Sequence, residues 1–274
     1  MRYKNKDLFI DGLKFESLAN KFATPLYCYS LKKIKENIAN FKQHFKKVNP
    51  IFCFSIKANS NAKLLNEIRK LGFGADVVSI GELMKALKSG FKSNKIVFSG
   101  VGKTEEELKI AINKKILLIN CESESEAHLI NKIAKKSKRK VSIGFRLNPN
   151  IDAKTHKKIS TGKADNKFGI SIRNFSIFLK EIKKLKNIKL EALSVHIGSQ
   201  ILKDTPYKKV LTVLAKLIKR LNLKLKYIDL GGGFGINYTK KDKSINLKNY
   251  SNLVYAFSKK FNCRIIFEPG RSII

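Results

Sequence analysis

The sequence predicts an α/β fold, a (β/α)8 barrel of the TIM type, from two observations. Short apolar runs of strand length alternate with amphipathic helical patterns through most of the chain. The length of 274 residues also suits such a barrel, which commonly uses about 250 residues. An open doubly wound sheet is the alternative. No GxGxxG follows the first strand, which counts against a dinucleotide-binding version of that sheet.

Eight apolar runs rich in Ile, Val and Phe are typical of parallel strands buried on both faces. In chain order they are 51–56, 75–79, 95–99, 116–120, 141–147, 191–197, 227–230 and 264–267. Between them, apolar residues recur every three or four positions, as in amphipathic helices. Capping-box spacing at Thr104–Glu107 and Ser123–Glu126 marks two helix starts, and residues 174–185 and 207–221 predict two further helices.

The first 30 residues lie outside this alternating pattern. Residues 7–15 predict a strand–turn–strand around an Asp-Gly pair, and residues 25–30 predict another strand. A helix over 31–45 then leads into the barrel, which we expect to occupy residues 31–274. Because the last predicted strand lies close to residue 274, we expect no eighth covering helix and a partly bare outer wall.

The net charge of +36 raises the question of a nucleic-acid partner. Lysine supplies 49 of the 57 basic residues and arginine only 8, whereas arginine is the better fork for bases and phosphates. The lysines are spread along the whole chain, so we interpret them as a solvated surface and expect no nucleic-acid partner. The four cysteines form no CxxC, which favours a reduced cytoplasmic protein without a metal site. No apolar run or signal-peptide core indicates a membrane partner.

Active sites in this fold lie at the carboxyl ends of the strands, so the residues that end or follow each strand are the candidates for a site. The candidates there are Lys57 after the first strand, Asp76 in the second, Arg146 in the fifth, His196 and Ser199 after the sixth, Gly231, Gly232 and Gly233 after the seventh, and Glu268, Gly270 and Arg271 after the eighth.

Each candidate has an ordinary structural interpretation beside a chemical one. A lysine that closes an apolar strand is partly desolvated, which lowers its pKa and favours a nucleophilic amine at Lys57. The ring of His196 is either a core histidine or a platform for a planar cofactor. The run Gly231–Gly233 is either a plain turn or an anion-binding loop of backbone N–H groups. Glu268 is either a surface carboxylate or the partner of a protonated ring nitrogen. Together the four describe a site for pyridoxal 5'-phosphate.

Several motifs resemble the diaminopimelate decarboxylases, in the alanine-racemase-like (fold type III) group of pyridoxal phosphate enzymes. The matching segments are FSIKANSN (54–61), GADVVSIGEL (74–83), IVFSGVGKTEEEL (96–108), RLNPNIDAKTHKKISTGKADNKFGI (146–170), HIGSQI (196–201), DLGGGFGINY (229–238) and EPGRSII (268–274). They occur in family order and cover the predicted barrel nearly end to end.

The resemblance implies a role for each candidate residue. It implies that Lys57 forms the Schiff base with the cofactor, that His196 packs on the ring and that Glu268 pairs with the ring nitrogen. It implies that Arg271 also meets a substrate carboxylate. The phosphate is expected to be held by Ser199, Gly231, Gly232, Gly233, Gly270 and Arg271, and the supporting groups are expected to be Asp76 and Arg146.

The implied reaction is decarboxylation of meso-2,6-diaminopimelate to L-lysine and CO2, in a homodimer. In the family a C-terminal β domain contributes substrate-binding residues; we expect that domain to be absent from this chain and residues 1–30 to be the segment that pairs with it. Two alternatives stay open: a decarboxylase of another basic amino acid, of the ornithine or arginine type, and a non-catalytic remnant that binds pyridoxal phosphate.

Overall fold

A closed barrel of parallel strands forms the centre of the molecule, as the alternation of strands and helices predicts. The computed structural model describes residues 1–153, 161–162, 168–239, 242 and 244–274. Around the barrel the strands are β4 (Ile51–Ser55), β5 (Gly74–Val77), β6 (Ile96–Phe98), β7 (Leu118–Cys121), β8 (Val141–Asn148), β10 (Ile188–Ser194), β11 (Tyr227–Asp229) and β12 (Arg264–Phe267). β12 pairs with β4, so the sheet closes on itself. A short strand β9 (Ile170–Ser171) pairs with the end of β8.

The strand predictions are correct to within a few residues. The largest displacement is at the sixth strand, predicted over 191–197 and observed at Ile188–Ser194. This strand begins earlier because Ile188 pairs with Val141 at the start of β8. It ends at Ser194, the last of its residues that pairs with β8 and β11.

Helices surround the barrel and bury their apolar stripes against it. They are α2 (Leu31–His44), α3 (Ala62–Lys70), α4 (Ile80–Lys88), α5 (Glu105–Asn113), α6 (Glu124–Lys136), α7 (Phe175–Ile182), α8 (Thr205–Arg220) and α9 (Leu247–Phe261). The capping box at Thr104–Glu107 is complete. The one predicted at Ser123–Glu126 is only half formed: Ser123 caps the helix, but the Glu126 carboxylate accepts hydrogen bonds from Glu122 N and Lys103 instead.

The N-terminal segment forms a small antiparallel sheet outside the barrel. It consists of β1 (Arg2–Lys4), β2 (Asp7–Ile10) and β3 (Leu13–Lys14), followed by the exposed helix α1 (Phe15–Phe22). The Asp-Gly turn between β2 and β3 confirms the predicted strand–turn–strand. The strand predicted over 25–30 is wrong, because no strand of the described residues pairs with this apolar segment.

The outer wall is covered where we expected it to be bare. Helix α2 precedes the first barrel strand and packs beside α9, across the junction between the first and last strands. Its Phe45 ring lies 4.8 Å from the ring of Phe267 in β12 and 6.0 Å from that of Phe52 in β4. The expectation failed because the helix before β4, rather than one after β12, covers this junction.

No helix within the described ranges is long and apolar enough to cross a membrane.

Replacing Phe45 by alanine tests how strongly this junction depends on the aromatic cluster. Phe45 is fully buried, and we expect Phe45→Ala to lower the free energy of unfolding by about 3–5 kcal/mol. Phe22→Ala on the exposed helix α1 is the control, with an expected change within about 0.5 kcal/mol. Denaturant-induced unfolding measures both, and equal losses would contradict the assignment of α2 as a structural wall.

Candidate functional site

The mouth at the carboxyl ends of the strands brings the predicted candidates together. Lys57 lies in a 3-10 turn directly after β4, and its Nζ is 3.6 Å from Oδ2 of Asp76 in β5. Gly232 N donates to His196 Nδ1 over 3.2 Å. Arg271, after β12, approaches Ser199 Oγ at 3.5 Å. Closure of the barrel therefore brings residues that lie more than 200 positions apart in the sequence into one site.

Lys57 is held as an ammonium group rather than activated by desolvation. Its side chain is 55% exposed, and the neighbouring carboxyl group of Asp76 raises its pKa by charge attraction, with Glu268 adding to the effect. Burial and Arg146 act in the opposite direction but more weakly. The sequence-based prediction of a lowered lysine pKa is thus wrong, because it considered the apolar strand and not the carboxylate beside it.

Three carboxyl groups line the interior of the barrel at this end. Asp76, Asp229 and Glu268 are 1%, 0% and 8% exposed. Burial and the charges of Asp229 and Asp76 raise the pKa of Glu268 well above its usual value. The setting of Glu268 therefore favours its protonated form over the carboxylate more than an exposed position would.

His196 is a neutral imidazole. Burial lowers its pKa well below the usual value, and the positive charges of Arg146 and Lys57 lower it further. Its Nδ1 accepts the hydrogen bond from Gly232 N, so the ring proton resides on Nε2. A neutral ring fixed at one nitrogen is suited to packing against a planar aromatic group.

The glycine run is required by close packing within the chain. A Cβ at Gly232 would lie 2.2 Å from the carbonyl oxygen of Glu268, and one at Gly233 would lie 2.3 Å from that of Gly198. Gly231 and Gly233 also have φ values of +63° and +87°. The turn therefore approaches the chain after β10 and β12 more closely than any other residue type permits.

Backbone donors gather beside this turn. Within the described residues, the N–H groups of Gly233, Gly270 and Arg271 make no hydrogen bond. The Arg271 guanidinium is exposed next to them, and Ser199 supplies a hydroxyl. Free N–H groups with an arginine and a hydroxyl form the donor set that an anionic phosphate group requires.

Arg146 is fixed by a residue that sequence reasoning missed. Its guanidinium donates to Glu122 Oε1 over 3.0 Å and lies over the ring of Phe168. The second oxygen of Glu122 accepts from Gly169 N at 2.8 Å. Glu122 thereby ties Arg146, at the start of the family-like segment 146–170, to Gly169 near its end. Residues 154–160 and 163–167 of this segment lie outside the described residues.

Tyr238 is a second residue that was missed. Its hydroxyl accepts a hydrogen bond from Arg271, whose other contact is Ser199. The Tyr238 backbone is held in turn by Asp242, whose carboxylate accepts from Tyr238 N at 2.9 Å. The motif DLGGGFGINY contains this tyrosine, but nothing in its spacing indicated a contact with an arginine 33 residues away.

The arrangement fits pyridoxal phosphate better than a metal ion. No group of three His, Cys, Asp or Glu in the described part of the chain could hold a metal. An amine at Lys57, a flat neutral ring at His196 and a buried carboxyl group at Glu268 surround a mouth with a phosphate-type donor set. Oδ1 of Asp76 is also buried without a hydrogen-bond partner among the described residues, as in a site built to receive a further polar group.

Gly232→Ala tests whether the turn is dictated by packing. We expect a loss on the order of 1–3 kcal/mol in unfolding free energy without any added ligand, because the new Cβ collides with backbone. Gly81→Ala in α4 is the matched control: the nearest atom to its Cβ is 3.8 Å away, so no loss is expected. Thermal unfolding measures both variants. Unchanged stability of Gly232→Ala would mean that the turn can relax.

Similarity to known proteins extends along nearly the whole chain. A diaminopimelate decarboxylase of Aquifex aeolicus (strain VF5) is 40% identical over 277 aligned residues, which cover 100% of this chain and 66% of the relative. The crystal structure of diaminopimelate decarboxylase from Helicobacter pylori complexed with L-lysine is 40% identical, with a TM-score of 0.88 over 95% of this chain and 66% of that one. The chain therefore spans slightly less than two thirds of the length of these relatives.

A further solved structure and a family model agree with these similarities. The diaminopimelate decarboxylase from M. jannaschii in co-complex with L-lysine superposes with a TM-score of 0.91 at 35% identity, over 99% of this chain and 66% of that one. Residues 31–274 match the model for the pyridoxal-binding domain of pyridoxal-dependent decarboxylases. The chain thus belongs to the pyridoxal-dependent decarboxylase family, and its cofactor is pyridoxal phosphate.

Proposed function

We propose that the chain is the cofactor-binding part of a diaminopimelate decarboxylase, which converts meso-2,6-diaminopimelate to L-lysine and CO2. The observation that carries the proposal is the amine of Lys57, placed after the first strand within 3.6 Å of Asp76 and facing the Glu268 carboxyl group. The relatives that are about 40% identical along the chain bear the name of this activity.

The proposed cofactor contacts follow the geometry of the mouth. Lys57 binds the cofactor covalently through its amine, His196 packs on one face of the ring, and Glu268 meets the ring nitrogen. Asp76 and Arg146 support Lys57 and His196. The phosphate group is held by Ser199, the Gly231–Gly233 turn, Gly270 and Arg271. Gly233, Gly270 and Arg271 supply the free N–H groups, whereas Gly231 and Gly232 shape the turn and donate to Asp229 and His196.

The bound cofactor supplies an aldehyde that captures an amine and a ring that withdraws electrons from the bond to the departing CO2. The chain's own residues prepare the site for that chemistry. Asp76 favours the protonated form of Lys57, because the charge of its carboxyl group raises the Lys57 pKa. The raised pKa of Glu268 favours a proton shared between its carboxyl group and a ring nitrogen, and a protonated ring would withdraw electrons more strongly. The neutral ring of His196 excludes water from one face.

Arg271 is the proposed contact for a substrate carboxylate. It is exposed at the mouth, and the Tyr238 hydroxyl and Ser199 hold its guanidinium from two sides. A guanidinium forms two parallel hydrogen bonds to a carboxylate, so a fixed orientation favours a diacid over a monoacid. Diaminopimelate carries one carboxylate beyond the one that leaves, whereas ornithine and arginine carry none.

The remaining elements of the proposal concern assembly and location. We infer a homodimer in the cytoplasm, with residues 1–30 pairing with a C-terminal β domain as in the family. Exposed aromatic side chains at Phe22, Tyr27 and Tyr29 support a covered position for this segment. We infer neither a nucleic-acid nor a membrane partner.

Labelling and turnover test the function directly. The chain is incubated with pyridoxal phosphate, reduced with borohydride and mapped by mass spectrometry; the label is expected on Lys57. Lys57→Arg should abolish the label and the visible absorbance of the bound cofactor, because a guanidinium does not deprotonate to attack an aldehyde. The exposed Lys63 provides the control, and Lys63→Arg should leave both unchanged.

Turnover is measured as CO2 and lysine released from meso-diaminopimelate, with ornithine and arginine as competing substrates. Preference for ornithine or arginine would replace the proposed substrate. A labelled chain that releases no CO2 from any of the three would favour the non-catalytic remnant. A label on another lysine would overturn the site itself.

Asp76→Asn tests the electrostatic hold on Lys57. The carboxyl group of Asp76 raises the Lys57 pKa, so its loss lowers that pKa and increases the fraction of neutral amine at a given pH. The pH dependence of the rate of cofactor attachment, followed by absorbance, should shift to lower pH. Glu82→Gln serves as a graded control, because Glu82 acts in the same direction more weakly than Asp76. A shift to higher pH would contradict this account.

A further inference from the structure

A chain of hydrogen bonds inside the barrel links the Glu268 carboxyl group to the glycine turn. Asn120 Nδ2 donates to Ser99 Oγ over 3.1 Å and to Asp229 Oδ2 over 2.7 Å. Ser99 Oγ donates in turn to Glu268 Oε1 over 3.2 Å. At the other end, Asp229 Oδ1 accepts from Gly231 N at 2.9 Å. The hydrogen bonds cross the barrel, joining the segment after β6 and strand β7 on one side to strand β11 and the segment after β12 on the other.

We propose that Ser99 and Asn120 are positioning residues that orient Glu268 towards the cofactor's ring nitrogen and, through Asp229, couple that contact to the glycine turn at the phosphate. The ring nitrogen and the phosphate are then recognised by one hydrogen-bonded unit instead of two separate sites. This inference rests on the proposed function, because it assumes the cofactor contacts described there.

The direction of each hydrogen bond follows from the groups available. The two amide hydrogens of Asn120 are both used, one on the Ser99 hydroxyl and one on the Asp229 carboxylate. Since the Ser99 oxygen receives a hydrogen from Asn120, its own hydrogen is directed to Glu268. A reversed amide would set the Asn120 oxygen against the Asp229 carboxylate, so the network has a single favourable arrangement.

Asn120 is also held in place sterically. Its Oδ1 occupies the space where a Cβ of residue 144 would lie, 2.3 Å from that position, so only a glycine at Gly144 admits it. The same oxygen is buried without a hydrogen-bond partner among the described residues. An unsatisfied buried oxygen costs free energy, which the two bonds from Nδ2 must offset. A side chain retained at this cost is suited to fixing its neighbours.

Several charged groups surround the Glu268 carboxyl group, so its orientation decides which of them it contacts. Asp229 and Asp76 face it as negative groups, Lys57 opposes them, and the buried thiol of Cys53 lies nearby. Burial and the two aspartates raise the pKa of Glu268, and Asp229 is also a hydrogen-bond partner of its carboxyl group. The bond from Ser99 to Oε1 restricts the rotation of this carboxyl group.

Two buried serines of the same network provide a matched comparison. Ser99 and Ser194 are 8% and 3% exposed, and each donates one hydrogen bond of 3.2 Å to a carboxyl group. Ser194 bonds to Asp229 Oδ2 and not to Glu268. The two alanine variants therefore delete the same group at similar burial, but only Ser99→Ala removes a hydrogen bond to Glu268, whose contact with Asp229 is retained.

The test measures the affinities of the chain for three related ligands by absorbance titration. They are pyridoxal phosphate, its 1-deaza analogue, in which CH replaces the ring nitrogen, and pyridoxal, which lacks the phosphate. The ratio of the first two affinities reports the nitrogen contact. Ser99→Ala should reduce this ratio about tenfold, the effect of one hydrogen bond to an ionised group, and leave the phosphate preference unchanged. Ser194→Ala should leave the nitrogen ratio unchanged.

Further variants separate positioning from simple loss of structure. Ser99→Cys keeps the size of the side chain with a weaker donor and should give an intermediate ratio if the alanine variant does not fold. Asn120→Ala should reduce both the nitrogen ratio and the phosphate preference, because it removes the bond to Ser99, which contacts Glu268, and the bond to Asp229, which contacts Gly231. Equal nitrogen ratios in the two serine variants would overturn the inference alone. Absence of pyridoxal phosphate binding by the unaltered chain would overturn the proposed function as well.

Discussion

The pairing of the last barrel strand with the first is the interaction on which the site depends. β12 and β4 pair in parallel through Ile266–Ile51 and Phe267–Phe52. Beyond the strands the contact continues, because Ser55 N donates to the carbonyl of Pro269 and Ser55 Oγ to that of Glu268. This junction places Lys57 beside residues that lie more than 200 positions further along the chain. The aromatic packing of α2 on both strands stabilises the junction from outside.

Charge balance at the mouth follows from that closure. Closing the barrel buries Asp76, Asp229 and Glu268 together, and three carboxylates in one low-dielectric interior cannot all remain ionised. The pKa of Glu268 is raised well above its usual value, and the pKa of Lys57 is raised beside Asp76. The same cluster of charges therefore acts on both the acid and the amine. Removing the charge of Asp76 would lower the pKa of Glu268 and that of Lys57 together.

The sequence predicted the fold and the residues at the carboxyl ends of the strands because both follow from the periodicity of the apolar residues. Apolar runs separated by helical patterns define the strands, and the barrel fixes where their ends meet, so Lys57, His196 and Glu268 could be identified without coordinates. Ser99 and Asn120 could not, because small polar residues within or next to a short strand look the same whether they face a helix or the barrel interior. The increase in the Lys57 pKa caused by Asp76 was not predicted for a related reason. The 3.6 Å distance between Lys57 Nζ and Asp76 Oδ2 cannot be read from the sequence.

The glycine turn illustrates how structural and functional requirements coincide at one place. The sequence suggested that glycines at Gly231–Gly233 allow a phosphate to approach the backbone. In the structure, however, a Cβ atom at these positions would collide with Glu268, Gly198 and His196 of the chain itself. Packing thus explains why these residues are glycines, and the same packing leaves the N–H of Gly233 beside those of Gly270 and Arg271. A turn compressed against two neighbouring strand ends has its donors fixed before any anion arrives. The anion then binds without the entropic cost of ordering a loop, which is the advantage of building a phosphate site from tightly packed backbone.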